Sequence, residues 1–126
     1  MLGSKTSSAI VAVSDADRAR TFYRDTLGLE LLSEGMGGVM VFRTGATRLL
    51  VYPSDFAGTN KATAVVWDVG DDIDRIVADL KAKGVAFEHY PNMEGMTLEG
   101  DIHVSGEMKM VWFKDPDGNF LHINKM

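Results

Sequence analysis

Residues 9–28, AIVAVSDADRARTFYRDTLG, predict a strand followed directly by a helix. The β-branched apolar run at 9–13 is typical of a buried strand, and Ser14 or Asp15 can cap the helix that follows. Apolar residues then recur at helical spacing as far as Gly28, which can end the helix in the left-handed conformation. This strand–helix pair is the unit around which the rest of the chain is organised.

Further strands follow the first helix, and the second half of the chain repeats the same order. Glycines separate three strand-like runs, LELLSE (29–34), VMVF (39–42) and TRLLVY (47–52). The second half has a predicted strand at 63–69, a helix at 71–84 and strands at 85–90, 108–113 and 119–124.

The two halves align at constant offsets. Val13, Asp15 and Gly28 correspond to Val69, Asp71 and Gly84 at an offset of 56, whereas residues 49–51 correspond to 121–123 at an offset of 72. The larger offset places an extra loop within 91–107. Such self-similarity indicates a duplicated supersecondary unit. We therefore predict an α+β fold in one domain, 1–126, built from two tandem β-α-β-β-β modules at about 7–56 and 63–125.

Composition limits the classes of partner. The chain of 126 residues is 45% apolar and 25% charged, as expected of one globular domain. A net charge of −5 without clustered Lys or Arg argues against nucleic acid or a membrane as the partner. The absence of cysteine excludes disulfides and thiolate chemistry. The apolar run near the start is too short for a signal peptide, so we expect a cytoplasmic location.

Two motifs within this duplicated arrangement are shared with a known family. With FYRDTLGLELL (22–32) and FKDPDGNFLHI (113–123), the chain resembles the vicinal oxygen chelate superfamily, which includes glyoxalase I, bleomycin resistance proteins and extradiol dioxygenases. The resemblance covers about residues 8–125 and implies half-barrel sheets with a concave ligand cavity. Many members are dimers, and exposed sheet edges favour the same arrangement here, so we expect a homodimer.

The resemblance also implies where a divalent metal would be held. The ligand positions lie on the first and last strand of each module, at Ser8, Leu50, Ala64 and His122. A useful site needs about three His, Cys, Asp or Glu ligands, and only one of the four qualifies. We therefore predict neither a metal nor a cofactor. The acidic and histidine residues within 99–107 match no ligand spacing and are interpreted as a polar loop.

Strand alternation predicts which side chains line the cavity if His122 faces it. The residues with the same facing are Ser8, Ile10, Ala12, Arg48, Leu50, Tyr52, Ala64, Val66, Asp68, Phe120 and Asn124. To these we add Met110 as an adaptable contact and Trp112 as a stacking surface. The opposite facing is wholly apolar and suits a core under the helices: Val11, Val13, Leu49, Val51, Val65, Leu121 and Ile123.

Two functions fit this mixed lining. The first is a metal-free binding protein for a hydrophobic or aromatic small molecule, with drug or antibiotic sequestration as its use. The alternative is an enzyme: a glyoxalase-like lyase, an isomerase or another metal-independent enzyme, with His122 as acid or base helped by Tyr52, Arg48 or Asp68. An imidazole titrates near pH 6.5 and suits proton transfer near neutrality. A metal-dependent lyase or dioxygenase is the remaining alternative. The sequence names no ligand.

Overall fold

The computed structural model describes residues 1–126 and divides them into two compact units. Unit 1 comprises Met1–Lys61 and Pro116–Asn119, and unit 2 comprises Ala62–Asp115 and Phe120–Met126. Each unit contains one sheet and one α-helix, so the predicted α+β fold of two similar modules is confirmed. Neither helix has the length and apolar content that crossing a membrane would require.

The sheet of unit 1 has four strands in the order β1-β4-β3-β2. Strand β1 runs parallel to β4 and the other neighbours are antiparallel. The strands lie where the sequence predicts them, within a residue or two at each end: β1 (Ala9–Val13), β2 (Glu30–Glu34), β3 (Met40–Thr44) and β4 (Thr47–Pro53).

The helix of unit 1 has the predicted beginning and end. Helix α1 (Ala16–Arg20) continues as a π-helical segment, Thr21–Thr26. Asp15 caps α1, because its Oδ1 accepts a hydrogen bond from the amide of Arg18 at 3.1 Å. Gly28 follows the helical segment with φ +75°, the left-handed conformation that glycine adopts without strain.

One face of the unit 1 sheet forms the core with the helix. The four residues of β1 and β4 predicted for this face are all buried, and so are Ala19 and Tyr23 of the helical segment. The ring of Tyr23 lies 5.9 Å from that of Phe42, measured between centroids. Alternation along the strands therefore separates a helix-covered face from an open one, as predicted.

The turn 116–119 belongs to unit 1, although the strands on either side of it belong to unit 2. The carboxylate of Asp117 accepts hydrogen bonds from Ser14 and from the guanidinium of Arg18. The side-chain amide of Asn119 donates to the carbonyl oxygen of Ala12 at 2.8 Å. The predicted DPDG turn thus does more than connect two strands, because it satisfies backbone groups at the end of β1.

The sheet of unit 2 has five strands in the order β5-β9-β8-β7-β6. Strand β9 lies between β5, to which it is parallel, and β8, to which it is antiparallel. Helix α2 (Ile73–Ala82) buries Ile73, Val77 and Leu80 and contacts β9. The strands are β5 (Thr63–Asp68), β6 (Thr97–Glu99), β7 (Ile102–Ser105), β8 (Met108–Lys114) and β9 (Phe120–Lys125).

Two sequence predictions in unit 2 are wrong. The segment 85–90 is not a strand, since only Phe87 forms an isolated bridge, with Phe113. The supposed extra loop at 91–107 instead contains β6 and β7. The physical reason is that β7 pairs with Met108–Met110 of β8. Residues 87 and 88 can therefore reach only the other end of this edge of β8. Strand formation depends on which edge is available, and a single run of residues does not reveal this.

Candidate functional site

The predicted lining residues of unit 2 share one face of its sheet. In the register, His122 lies opposite Trp112 on β8 and Val66 on β5. Asn124 likewise lies opposite Met110 and Asp68. Residues opposite one another in a ladder point to the same side, so the structure brings these six side chains together on the face away from the buried core.

Ala64 and Phe120 stand at one end of this face. The register between β5 and β9 shifts between Thr63 and Val65, which leaves Ala64 as the extra residue of a bulge. Simple alternation along β5 therefore does not extend to Ala64. Phe120 is half-buried, and the ammonium of Lys114 lies 5.0 Å from the centroid of its ring.

Four rings meet on this face, and we call Tyr90, His103, Trp112 and His122 the aromatic cluster. Trp112 stacks on His122, with centroids 4.4 Å apart and planes 23° apart. The other two rings form edge-to-face pairs with Trp112, and their centroids lie 5.2 Å from its centroid for His103 and 5.5 Å for Tyr90. Stacked and edge-to-face pairs are the favoured arrangements of aromatic rings. The cluster is a preformed apolar surface edged by polar atoms.

His122 is held as a neutral imidazole with a defined tautomer. Its side chain is only 8% exposed, and Nδ1 lies 3.0 Å from the carbonyl oxygen of Val111. Nδ1 must therefore carry the proton, which leaves Nε2 as an acceptor for the amide of Asn124 at 3.3 Å. Burial lowers the pKa of His122, since the charged form loses its hydration, and the nearby His103 acts in the same direction.

His103 and Tyr90 are members of the aromatic cluster that the sequence does not predict, and His103 is the more buried of the two. It lies on β7, is 1% exposed, and its Nε2 accepts a hydrogen bond from the backbone amide of Tyr90 at 2.9 Å. Its Nδ1 donates to the carbonyl oxygen of Met110 at 3.2 Å. The apolar residues on either side of it, IHV at 102–104, are a weak strand signal, whereas the acidic residues nearby favour a polar loop.

Asn124 contributes an unusual polar atom. The side chain is 9% exposed, and its Oδ1 is buried without a hydrogen-bond partner. Buried side-chain acceptors are paired in the large majority of cases. An unpaired one beside an aromatic cluster is therefore a feature to be explained.

The predicted residues of unit 1 lie on the open face of that unit's sheet. Ile10 lies opposite Leu50, and Ala12 opposite Tyr52. Leu50 and Tyr52 are half-buried, while Ile10 is 55% exposed. Arg48 is exposed and lies opposite Arg43, which is paired with Glu30 at 3.0 Å. Ser8 is exposed and precedes β1. This face combines apolar and cationic side chains.

The residues at the four metal positions do not fit a divalent ion. In unit 1, Ser8 offers only a hydroxyl and Leu50 offers no donor atom. In unit 2, Ala64 offers none, and both ring nitrogens of His122 are engaged by neighbouring groups. No group of three or more His, Asp or Glu side chains in the protein is placed to hold a metal ion. This donor chemistry falls short of the three or four ligands that such sites use.

The remaining histidine belongs to a surface ion-pair network. His89 is exposed, and its Nε2 lies 2.8 Å from Asp101. The ammonium of Lys81 lies 2.9 Å from the other oxygen of the same carboxylate. Hydrogen bonds from His89 and then Lys81 lower the pKa of Asp101. Asp101, one of the acidic residues of the 99–107 segment, is thus bound by His89 and Lys81 at the surface.

Comparison with known proteins agrees with this arrangement. A family model described as the Glyoxalase/Bleomycin resistance protein/Dioxygenase superfamily matches residues 6–123. A comparison with curated proteins found no match.

Solved structures show the same fold at low sequence identity. A glyoxalase family protein from Enterococcus faecalis is 20% identical, with a TM-score of 0.73 over 99% of this chain and 100% of that one. The fosfomycin resistance protein FosX from Listeria monocytogenes is 15% identical, with a TM-score of 0.73 over 98% and 93%. A lactoylglutathione lyase from Agrobacterium tumefaciens is 19% identical, with a TM-score of 0.71 over 97% and 93%.

Proposed function

The chain belongs to the Glyoxalase/Bleomycin resistance protein/Dioxygenase superfamily, and from this membership we propose a function in binding. The protein holds a hydrophobic or aromatic small molecule without a resident metal. The observation that carries the proposal is the aromatic cluster, in which Trp112 is stacked on a neutral, hydrogen-bonded His122.

The surroundings of the cluster support a binding role. Met110 and Phe120 are half-buried on the same side of the sheet, and a thioether adapts its shape to flat rings. A mostly apolar surface with a few fixed polar atoms is the composition of small-molecule sites. The binding residues we propose in unit 1 are Ser8, Ile10, Arg48, Leu50 and Tyr52. Those we propose in unit 2 are Ala64, Val66, Asp68, Met110, Trp112, Phe120, His122 and Asn124, together with His103 and Tyr90 of the aromatic cluster.

The names of two structural neighbours bear on the biological use. One is named for fosfomycin resistance and the other is a lactoylglutathione lyase. The first name links this fold to antibiotic resistance, and we propose sequestration of an antibiotic or another toxic compound as the use of this binding protein. Because their identity to this chain is low, these neighbours support the fold and do not indicate which ligand this chain binds.

The second candidate function is an enzyme that uses His122 as a general base. The observation in its favour is that burial lowers the pKa of His122, so that Nε2 is unprotonated at neutral pH. In the structure, Nε2 of His122 is hydrogen-bonded to the side-chain amide of Asn124. To act as a base, Nε2 would release this amide and accept a proton from the substrate. A glyoxalase-like lyase or isomerase reaction is the class that this chemistry would serve.

We also propose that the protein is a cytoplasmic homodimer. Strands β1 and β5 each pair on one side only, and each carries an exposed apolar residue, Ile10 and Val66, both 55% exposed. Unpaired strand edges readily accept a second chain. Sedimentation equilibrium of the wild type and of an Ile10→Lys, Val66→Lys variant tests the dimer. A monomeric wild type contradicts it.

Fluorescence of a single tryptophan tests the binding function. The chain has two tryptophans, so Trp67→Phe leaves Trp112 as the only reporter, and Trp112→Phe is the matched control. We expect planar aromatic compounds to change the emission of the Trp67→Phe protein in a saturable way, with little effect on the control. The compounds should be recovered unchanged. Equal responses in the two variants contradict the proposed site.

Metal content and turnover separate the two functions. Elemental analysis of protein purified without chelators should find well below one transition metal per chain, and one equivalent would overturn metal-free binding. Consumption of a bound compound favours the enzyme. In that case, His122→Ala should abolish turnover while circular dichroism shows an intact fold. Unchanged turnover in this variant removes His122 from the mechanism.

A further inference from the structure

We propose that the ligand of the aromatic cluster carries an N–H or O–H group that donates to Oδ1 of Asn124. This inference rests on the proposed binding function and names the class of ligand: planar aromatic compounds with a ring N–H or a phenolic O–H. Asn124 is then the residue that selects among aromatic compounds.

The orientation of the Asn124 amide is fixed by a chain of hydrogen bonds. The carbonyl of Val111 requires a proton on Nδ1 of His122, which leaves Nε2 of the same ring with a lone pair. Only the NH₂ group of Asn124 can face that lone pair, at 3.3 Å. A rotated amide would set its oxygen against Nε2. The unpaired buried atom is therefore an acceptor.

Neither the residues opposite Asn124 nor His122 can satisfy this acceptor, and Oδ1 has no hydrogen-bond partner in the structure. The residues opposite Asn124 in the register are Asp68 and Met110, a carboxylate and a thioether, and neither has a proton to donate. Asp68 also accepts a hydrogen bond locally, from the amide of Gly70 at 3.1 Å. The one ring proton of His122 is used by Val111. The missing donor must come from outside these groups.

The position of the acceptor indicates which molecule supplies the donor. Asn124 is bonded to His122, whose ring lies against Trp112, so Oδ1 lies beside the aromatic cluster. Because Oδ1 has almost no exposed surface, an aromatic compound bound against the cluster brings the donor at its edge to this atom by displacing the flexible side chain of Met110, which lies opposite Asn124. A site built to pair with such a donor rejects the analogue that lacks it, because the analogue leaves the buried acceptor unpaired.

A matched pair of compounds tests the inference. Indole and benzothiophene have nearly the same shape, but only indole has an N–H. We expect wild-type protein to bind indole about ten-fold more tightly by isothermal titration calorimetry, a ratio that corresponds to about 1.4 kcal/mol. In nuclear magnetic resonance spectra, the side-chain amide resonances of Asn124 should shift with indole more than with benzothiophene.

Substitution of Asn124 completes the test. Asn124→Leu has a similar volume and no acceptor, so its preference for indole should disappear. Asn124→Gln retains both an NH₂ group for Nε2 of His122 and an acceptor oxygen, so it should still prefer indole, and this variant controls for a loss caused by repacking alone. Equal affinities of the wild type for the two compounds overturn this inference and leave the binding function standing, as expected if a resident water satisfies Oδ1. If neither compound binds, the proposed function fails and this inference fails with it.

Discussion

The carboxylate of Asp117 accepts two hydrogen bonds from Ser14. The backbone amide donates to Oδ2 at 3.1 Å, and the hydroxyl donates to Oδ1 at 2.5 Å. The two residues are 103 positions apart in the chain. Arg18 adds an ion pair to the same carboxylate at 3.1 Å, and the Asp117 side chain is only 7% exposed. A turn late in the sequence thus fixes the residue that leads into the first helix.

Asp117→Ala should lower the free energy of unfolding by about 1–3 kcal/mol, since it removes charge-assisted hydrogen bonds from a buried acceptor. Urea denaturation measures the loss. The matched control is Asp55→Ala, which removes an exposed carboxylate and should change stability by no more than about 0.5 kcal/mol. Equal effects of the two substitutions would show that the Asp117 contacts contribute nothing.

Gly58→Ala should destabilise the protein more than Gly45→Ala does. Both glycines have positive φ, +73° and +55°, so alanine is strained at either position, by roughly 1–2 kcal/mol. A Cβ at residue 58 would also lie 2.1 Å from the carbonyl oxygen of Asp117, whereas nothing lies within 4 Å at residue 45. The difference between the two urea midpoints isolates this clash. Equal midpoints would mean that the backbone moves aside without cost.

His122→Gln should make stability less dependent on pH below about 6.5. The folded protein holds His122 with a lowered pKa, whereas the unfolded chain protonates it near the ordinary value of 6.5. Acid therefore favours the unfolded chain, and the contribution of the neutral ring, present above pH 6.5, is lost as pH falls toward the lowered pKa. Urea midpoints at pH 7.5 and 5.5 for the wild type, His122→Gln and His89→Gln measure the change. A slope unchanged in His122→Gln contradicts the assignment.

His103→Phe should cost about 1–3 kcal/mol of stability, even though phenylalanine preserves a ring in the aromatic cluster. The substitution removes the acceptor for the amide of Tyr90 and the donor to the carbonyl of Met110, and both backbone groups lose their partner. His89→Phe, at an exposed position, is the control and should change stability little. Chemical denaturation at one pH is sufficient. A neutral result at residue 103 would show that water replaces both bonds.

Periodicity predicted the parts of this protein that depend on local pattern. Alternation in β1, β4, β5 and β9 identified the seven core residues, and all seven are buried. The strand–helix order and the repeat also followed from short-range signals, because helical spacing and glycine punctuation act within a few residues.

Predictions that depend on partner strands failed or were incomplete. Residues 85–90 have the composition of a strand, but β7 occupies most of the edge of β8 that they would need. His103 was missed for the same reason, since its burial follows from the pairing of β7 with β8. Alternation also did not reveal the bulge at Ala64, because the register between two strands depends on both of them.

The position of β9 in its sheet has a consequence for folding kinetics. This strand separates β5 from β8, yet it follows both of them in the sequence. Local hairpins can bring together β6, β7 and β8, but β5 has no neighbour until β9 arrives from the far end of the unit. Closing such a long loop is slow, because chain entropy is lost before any contact compensates for it. During synthesis, β5 and the apolar side of α2 would therefore wait unpaired until residues 120–125 had been made, which makes this interval the period of greatest exposure to chaperones and to aggregation.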